Sequence, residues 1–388
     1  MKSVCLITVS RADYGLLRWV GKEIEASKTL RLQLVTAGTH FSEAFGQTFQ
    51  EIQQDGFAVD YSIRIEPETT TPRHILQALG KALPRFSEAF DELQPEIIVL
   101  LGDRSETLLA AYAATIYGIP IAHIHGGEIT AGAIDDAFRH AITKMAHIHF
   151  VSHEDYARRV IQLGEQPNSV HVTGALGEES VRRMDLLPQG ALEHELGLSL
   201  SGDNLLITLH PETLHPERTK NLIEETLGAL DQLEETNLVF TAANQDEGGD
   251  QINKAFRAFS SSHQRASFFE SLGTYRYLSL MAHCRAVIGN SSSGILEAPV
   301  LGIPTINIGA RQDGRIRKPS VVDVSANREI LLGAIRRVIS IGSSERKLSS
   351  NSKSTAQFPS KMITEIIDST DPDSLRSKFF RDLPRFQS

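Results

Sequence analysis

Apolar residues fall in short consecutive blocks along the chain, and these blocks alternate with stretches in which apolar residues recur at helical spacing. The blocks at 3–8, 32–37, 96–101, 119–124, 148–151 and 170–173 are rich in β-branched residues. Several are apolar at consecutive positions, as strands covered on both faces must be, which predicts a parallel sheet. Between them, 14–27, 75–93 and 106–117 carry helical patterns. Strand and helix in strict alternation predict a doubly wound α/β domain. The stretch 187–203 holds Pro188, Gly190, Gly197 and Gly202 around one possible short helix, and reads as an interdomain connection. The pattern then restarts, with strands expected at 204–209, 238–242, 266–269, 286–288 and 305–308. A Ser-rich polar connection is expected over 343–360, then a helix over 361–368 and a polar tail with Phe379 and Phe380. The expected organisation is a first Rossmann-like domain over 1–187, a second over 188–360, and a terminal helix and tail over 361–388 that packs back on the first domain.

A length of 388 residues suits two such domains of roughly 150 to 200 residues each. The net charge of −9 argues against a nucleic-acid binder, which usually carries a basic face. It leaves room for an anionic small ligand, because a local site can be positive on an acidic protein. Cys5 and Cys284 both lie in apolar runs, as buried thiols of a reducing compartment do. The first residues lack the apolar stretch and small-residue cleavage site of a signal peptide, and no run of about 18 apolar residues occurs. A cytoplasmic protein that spans no membrane is expected.

Two Rossmann-like domains facing each other place the carboxyl ends of both sheets on one cleft, where ligands bind. Neither a dinucleotide-binding Gly-x-Gly-x-x-Gly nor a P-loop follows the first strand. Arg11, at the mouth of the next helix, can meet a phosphate there, or it can pair with Asp13 and cap the helix. Asp103 follows the third apolar block directly, either as a helix cap or as a base raised by partial burial. The densest chemistry lies between His123 and Lys144. A strand enters the Gly126-Gly127 turn, Glu128 stands on the cleft side, and Asp135, Asp136, Arg139 and His140 share neighbouring faces of a helix. Helical ion pairs stabilise by only a few tenths of a kcal/mol, so stability alone motivates this cluster weakly. His123 with His125, and His147 with His149, alternate on strands. A metal site needs a third ligand that nothing nearby supplies, so no metal is expected.

In the second domain His210 is fixed before Pro211 at a strand end and suits general acid work or a phosphate contact. Asn244 offers a polar tip after the next strand. Gly289, Asn290, Ser291, Ser292, Ser293 and Gly294 form a strand–turn–helix junction with backbone N–H groups and hydroxyls for a diphosphate. The same residues also make a well-capped helix. Glu297, one turn into that helix, can accept two hydrogen bonds from a ribose diol.

These pieces, in this order, resemble the hydrolysing UDP-N-acetylglucosamine 2-epimerases of sialic and legionaminic acid synthesis. The likeness runs from Met1 to about Ile366. It rests on Ser10-Arg11-Ala12-Asp13-Tyr14-Gly15, Gly102-Asp103-Arg104, the 123–144 segment, His210-Pro211, the 289–294 turn, and Gly309-Ala310-Arg311-Gln312 with Arg315. The resemblance implies a GT-B architecture, two Rossmann-like domains facing a cleft. It also implies a reaction in which a base takes the C2 proton, UDP leaves to give a glycal, and water adds to release a free manno-configured N-acetyl sugar. It gives Asp103 and Asp135 acid/base roles, sets Arg139 near the diphosphate, and has His210 stabilise or protonate the leaving UDP. Phosphate and ribose contacts fall to Ser291, Ser292, Gly294 and Glu297, with Arg11, Asn244 and Arg311 or Arg315 in support. Many sialic-acid-type members carry Glu where this chain has His125, so Glu128 or His125 itself would fill that acid/base role. The His-Ile-His-Gly-Gly-Glu form leans towards the legionaminic branch and a UDP-linked 2,4-diacetamido-2,4,6-trideoxyhexose. The resemblance implies no cofactor, a UDP-sugar as the partner, and a homodimer or homotetramer. Rival readings are a GT-B glycosyltransferase, a non-hydrolysing epimerase and a nucleotide-sugar-binding module without turnover.

Overall fold

Alternate residues of the first strand face opposite sides of its sheet, and both sets are buried. Val4 and Leu6 enter one apolar cluster while Cys5 and Ile7 enter another. Burial on both faces is why the strand reads as an unbroken apolar run. The computed structural model describes residues 1–41, 49–69, 71–244, 246–340 and 357–382.

The first domain opens with β1 (Lys2–Thr8), α1 (Arg11–Ala26), β2 (Leu30–Gly38), α2 (Phe49–Gln54), β3 (Tyr61–Arg64), α3 (Pro72–Leu93) and β4 (Ile97–Leu101). It continues through α4 (Ser105–Tyr117), β5 (Ile121–Ile124), α5 (Asp135–Met145), β6 (Ile148–Val151), α6 (Glu154–Gln162), β7 (Val170–Val172) and α7 (Leu176–Arg183). Its seven strands form one parallel sheet in the order β3-β2-β1-β4-β5-β6-β7. The second domain begins with α8 (Gln189–Leu196), β8 (Asp203–Thr208), α9 (Thr219–Leu230), β9 (Thr236–Thr241), α10 (Gly249–Ser262) and β10 (Ala266–Phe269). After these come α11 (Gly273–Ala282), β11 (Ala286–Gly289), α12 (Ser292–Leu296), β12 (Thr305–Ile308), β13 (Val321–Val324) and α13 (Arg328–Ser340). This sheet is also parallel, in the order β10-β9-β8-β11-β12-β13. The two doubly wound domains form the GT-B arrangement.

Two strands were not legible as apolar runs. In β3 only Ile63 is buried, and β13 has no fully buried residue, because each is an edge strand. The expected connection over 343–360 lies outside the described residues except for 357–360. Among the described residues no helix is long and apolar enough to cross a membrane.

The last helix, α14 (Pro359–Ser369), returns to the first domain. Its Ile363 and Ile367 are fully buried in the cluster built by Val4, Leu6 and the inner face of α1. Lys2 Nζ donates to the carbonyls of Ile367 and Asp368, each at 2.8 Å, and to that of Thr370. A cation there meets the carbonyls that every helix leaves unpaired at its end. Replacing Ile367 with Ala is expected to remove a wholly buried side chain and destabilise the protein by about 2–5 kcal/mol. A lowered urea midpoint would register that loss, and an unchanged midpoint would mean that α14 is only loosely attached.

Candidate active site

In an open parallel sheet the ligand crevice opens where successive strands leave in opposite directions. In the first domain that point lies between β1 and β4, and in the second between β8 and β11. The segments that follow these four strands carry Arg11, Arg104, His210 and the 290–293 turn. They meet in one cavity, with an empty volume of about 1180 Å³ counted out to its open mouth, lined also by Asn244, Tyr277 and Glu297. Residues from both domains build its walls. Ser10 caps α1 in a box with Asp13, whose Oδ2 accepts the Val9 and Ser10 N–H groups at 2.9 Å each. Asp13 is thereby spent on the helix, while Arg11 lines the cavity. Gly15 lets the domains approach closely, since a Cβ there would stand 2.3 Å from Thr274 Oγ1 of α11.

Beside this cavity the first domain gathers Asp103, Asp136 and the Glu128 carbonyl around one buried cation. Arg139 is 1% exposed. Its guanidinium pairs with Asp103, donates to Thr130 Oγ1 at 2.9 Å and donates to the Glu128 carbonyl at 3.0 Å. The sequence reading set Arg139 beside the diphosphate; its side chain is instead turned into the domain, where it holds the loops that carry the carboxylates. His123 repeats this tying role, with Nε2 2.7 Å from the Gly102 carbonyl and Nδ1 3.2 Å from Thr143 Oγ1 of α5.

The strand alternation expected of His123 and His125 stops at Ile124, where β5 ends. His125 has φ +64°, a left-handed conformation that costs a β-carbon-bearing residue energy and recurs at functional sites. Its Nδ1 lies 3.1 Å from Glu128 Oε1, and its Nε2 is buried without a hydrogen-bond partner. Glu128 also accepts from Ser152 Oγ at 3.2 Å, and across the domain boundary its Oε2 meets Arg315 Nη2 at 3.2 Å. Burial alone would raise this carboxyl, but Arg315 and His125 outweigh it and bring it down to about 2. Asp135, at the start of α5, goes the other way. Burial and the nearby Asp246 push its carboxyl up, against the pull of Arg311 and Arg104. Glu128 is therefore the carboxylate of the pair, and Asp135 the better proton carrier.

In the second domain His210 is fixed in orientation and protonation. Its N–H donates to Asn290 Oδ1 at 2.7 Å, Asn290 Nδ2 donates back to its carbonyl at 2.8 Å, and its Nδ1 accepts the Asn244 N–H at 3.1 Å. Burial, with Arg311, Arg104 and Arg11 nearby, lowers His210 well below the ordinary imidazole range. A neutral ring whose Nδ1 accepts carries its proton on Nε2, so His210 presents an uncharged N–H donor. Asn290 is wholly buried in this latch and works through His210 rather than facing a ligand. Ser291 caps α12 and accepts from the Ser293 N–H, while Ser293 Oγ lies 2.6 Å from Tyr277 Oη. Gly294 differs from expectation: a Cβ there would stand 2.7 Å from Thr305 Cγ2, so this glycine serves packing against β12 and its N–H goes to the Ser291 carbonyl. Glu297 lines the cavity with Oε2 unpartnered, and burial pushes its carboxyl up to about 7. Gly177 makes room for it, since a Cβ there would lie 2.5 Å from Glu297 Oε1. Arg311 Nη1 donates to the Asn290 carbonyl at 3.2 Å.

The cleft thus brings Arg11, His210, Asn244, the three serines and Glu297 to one cavity, with Asp103 and the Glu128 carbonyl tied to Arg139, His125 paired with the Glu128 carboxylate that Arg315 meets across the boundary, and Asp135 near Asp246, Arg311 and Arg104. Sequence reasoning missed Arg104, whose Nη2 lies 3.6 Å from Asp246 Oδ1 in a second pair between the domains. It also missed Tyr277 and Gly177. Arg104 stood next to Asp103 in a quoted motif and offered a signal; Tyr277 and Gly177 lie on helix faces that no local pattern marks.

Residues 22–366 match the family model described as UDP-N-acetylglucosamine 2-epimerase. A Campylobacter jejuni protein named GDP/UDP-N,N'-diacetylbacillosamine 2-epimerase (hydrolyzing) is 41% identical over 328 residues, 84% of this chain and 85% of that one. The Escherichia coli polysialic acid biosynthesis protein P7 is 37% identical over 350 residues, 90% of this chain and 88% of that one. Among solved structures, the Neisseria meningitidis UDP-GlcNAc 2-epimerase bound to UDP-GlcNAc superposes with a TM-score of 0.75 at 18% identity, covering 95% of this chain and 99% of that one. The fold, the match over most of the length and the two relatives agree: the chain belongs to the hydrolysing UDP-N-acetylglucosamine 2-epimerase family.

Proposed function

We propose that this protein eliminates UDP from a UDP-linked 2-acetamido sugar and hydrates the resulting glycal, releasing UDP and a free manno-configured sugar. The observation that carries this reading is the division of charge across the cleft. Ionisable acid/base groups stand on the first domain, and an uncharged donor, His210, stands beside a capped serine turn on the second. Inversion at C2 requires a proton to leave one face of the sugar and another to arrive on the opposite face, so two different groups are needed. Asp103, held by Arg139, takes the C2 proton. The C1–O bond then breaks towards the diphosphate, which His210 Nε2–H, Arg11 and the serine turn receive. Asp135 returns a proton to C2. His125, oriented through Nδ1 by Glu128, accepts a proton from water through its bare Nε2 as the water oxygen bonds to C1.

For the sugar, we propose the 2,4-diacetamido-2,4,6-trideoxy compound over UDP-N-acetylglucosamine, on the strength of the 41% identity to the diacetylbacillosamine relative. The same reading makes the protein a cytoplasmic homodimer or homotetramer that feeds sialic or legionaminic acid synthesis.

Incubating the protein with each UDP-sugar in D2O and following by NMR is expected to give UDP and a free manno sugar deuterated at C2. A product without deuterium removes the elimination, a product that keeps its UDP makes the enzyme non-hydrolysing, and a requirement for an acceptor makes it a glycosyltransferase. His125→Ala and Glu128→Gln are each expected to lower kcat by about 10²–10⁴-fold, the usual reach of a positioned acid or base. Wild-type rates in both would discharge the pair from the chemistry.

Glu297 carries a pH prediction. Burial disfavours the charge and pushes its carboxyl up to about 7, and a ribose diol donating to it favours the charged form. Affinity for a UDP-sugar should therefore rise severalfold from pH 6 to pH 8 and level off above that. Calorimetry across this range should show the rise in the native protein and a flat profile in Glu297→Gln; identical profiles would take Glu297 away from the ligand.

A further inference from the structure

The chain does not end its structural work at α14. Beyond a single turn at Pro372–Leu375, residues 376–381 run across the back of the first domain, on the far side from the cleft end of α5. Lys378 Nζ donates to the carbonyls of Thr143 (3.3 Å), Lys144 (2.6 Å) and Ala146 at the end of α5. It also lies 2.8 Å from Oε2 of Glu165. Glu165 is 2% exposed and holds Lys144 Nζ at 2.5 Å and His149 Nε2 at 3.0 Å. The strap is seated on both sides of this ammonium: Arg381 N–H donates to the Gly164 carbonyl at 2.8 Å, and the Phe380 ring covers Gly164 and lies under Lys144 Nζ at 4.8 Å from its centroid. Three carbonyls of a helix end and one buried carboxylate converge on one cation, far more than a surface lysine needs.

What this clamp holds is the helix from which the acid/base groups hang. Asp135 and Arg139 are on α5 itself, and Arg139 in turn fixes Asp103 and the Glu128 carbonyl. Thr143 meets His123, which reaches the Gly102 carbonyl one residue before Asp103. A helix moves as a rigid rod, so freedom at its last turn becomes displacement at its first. We propose that Lys378 is a positioning residue for the elimination, closing the far end of α5 so that Asp135, Arg139 and through it Asp103 keep their register with the sugar. This inference rests on the elimination reading above for its catalytic consequence. Lys378 touches no reacting atom, and the nucleotide contacts of the second domain lie outside its reach.

Lys378→Met, Lys378→Arg and a chain ending at Leu375 separate this from a general structural role. In Lys378→Met and in the truncated chain, kcat should fall about tenfold, since sub-ångström misplacement of catalytic groups costs that much or more. KM and UDP affinity should stay within about twofold, because the proposed nucleotide contacts lie on the second domain and on Arg11, away from the clamped end of α5. The isotope effect on kcat with substrate deuterated at C2 should rise, as proton removal becomes slower relative to product release. Amide hydrogen exchange over α5 should quicken, and Lys378→Arg should recover most of the rate. An unchanged kcat and isotope effect in Lys378→Met would overturn the proposal, as would kcat, UDP affinity and the unfolding midpoint falling together. Should the methionine variant not fold, Phe380→Ala loosens the strap more gently and is read the same way. If the native protein releases no UDP, the elimination reading fails; α5 exchange in Lys378→Met then decides the clamp alone, and unchanged exchange overturns it.

Discussion

The site depends on one buried cation. Moving a guanidinium from water into a protein interior costs several kcal/mol unless the charge is paired and its N–H groups are used. Arg139 is paired only by drawing together Asp103 after β4, Thr130 and the Glu128 carbonyl after β5, and Asp136 on its own helix, and even so its Nε is left without a partner. His123, reaching the Gly102 carbonyl, and the Thr130 N–H, donating to Asp136 Oδ1 at 2.7 Å, draw the same loops together. Because an unpaired charge there would be so unfavourable, the loops are held where the charge needs them, and the carboxylates are spaced before any ligand arrives. A protein that sought stability alone would fill this volume with apolar side chains.

The second constraint acts between the domains. Glu128 with Arg315, and Arg104 with Asp246, pair a loop of one domain with a loop of the other. Neutral contacts accompany them: the Ile134 N–H donates to Thr213 Oγ1 at 2.9 Å, and the Ala131 N–H to the Asp313 carbonyl at 3.1 Å. Three of the four involve residues 128–134, and the fourth, through Arg104, follows β4 beside Asp103. Arg315 Nε and Nη1 remain buried without partners even so. The boundary is thus polar where the chemistry is proposed and tightly packed at Gly15 and Thr274, on the opposite flank of the cavity.

Much of this was legible in the sequence. Strands buried on both faces announce themselves as apolar blocks, and the residues just after them had to face the cleft, which located Asp103, His210 and the serine turn. What stayed hidden was tertiary direction. A helix start gives Arg139 a position but not a partner, and the partner, Asp103, lies 36 residues away. Gly294 looked like a ligand contact because glycine in a turn often is one, yet Thr305 on β12 is what needs the space. Asn290 resembled a phosphate contact and is a latch on His210. His125 was read with strand alternation that its backbone does not follow. Strands β3 and β13 were missed because Ser62, Arg64 and Asp323 break up their short apolar stretches.

The proposed chemistry follows from placing the two halves of an elimination on two bodies. A His125 that takes a proton from water needs an ionised Glu128 behind it, and a leaving diphosphate is better met by donors than by acids that would surrender their protons. Uncharged His210 and ionised Glu128 could not keep those states side by side in one pocket, since each would shift the other. Here burial and three arginines hold His210 neutral on one domain, while Arg315 and His125 hold Glu128 charged on the other. Arg315 belongs to the domain that would grip the nucleotide, yet it tunes the carboxylate of the opposite one. On the proposed reading, then, the full electrostatic state of the acid/base pair exists only while the two domains are together. A glycal formed in that state stays among the groups that hydrate it.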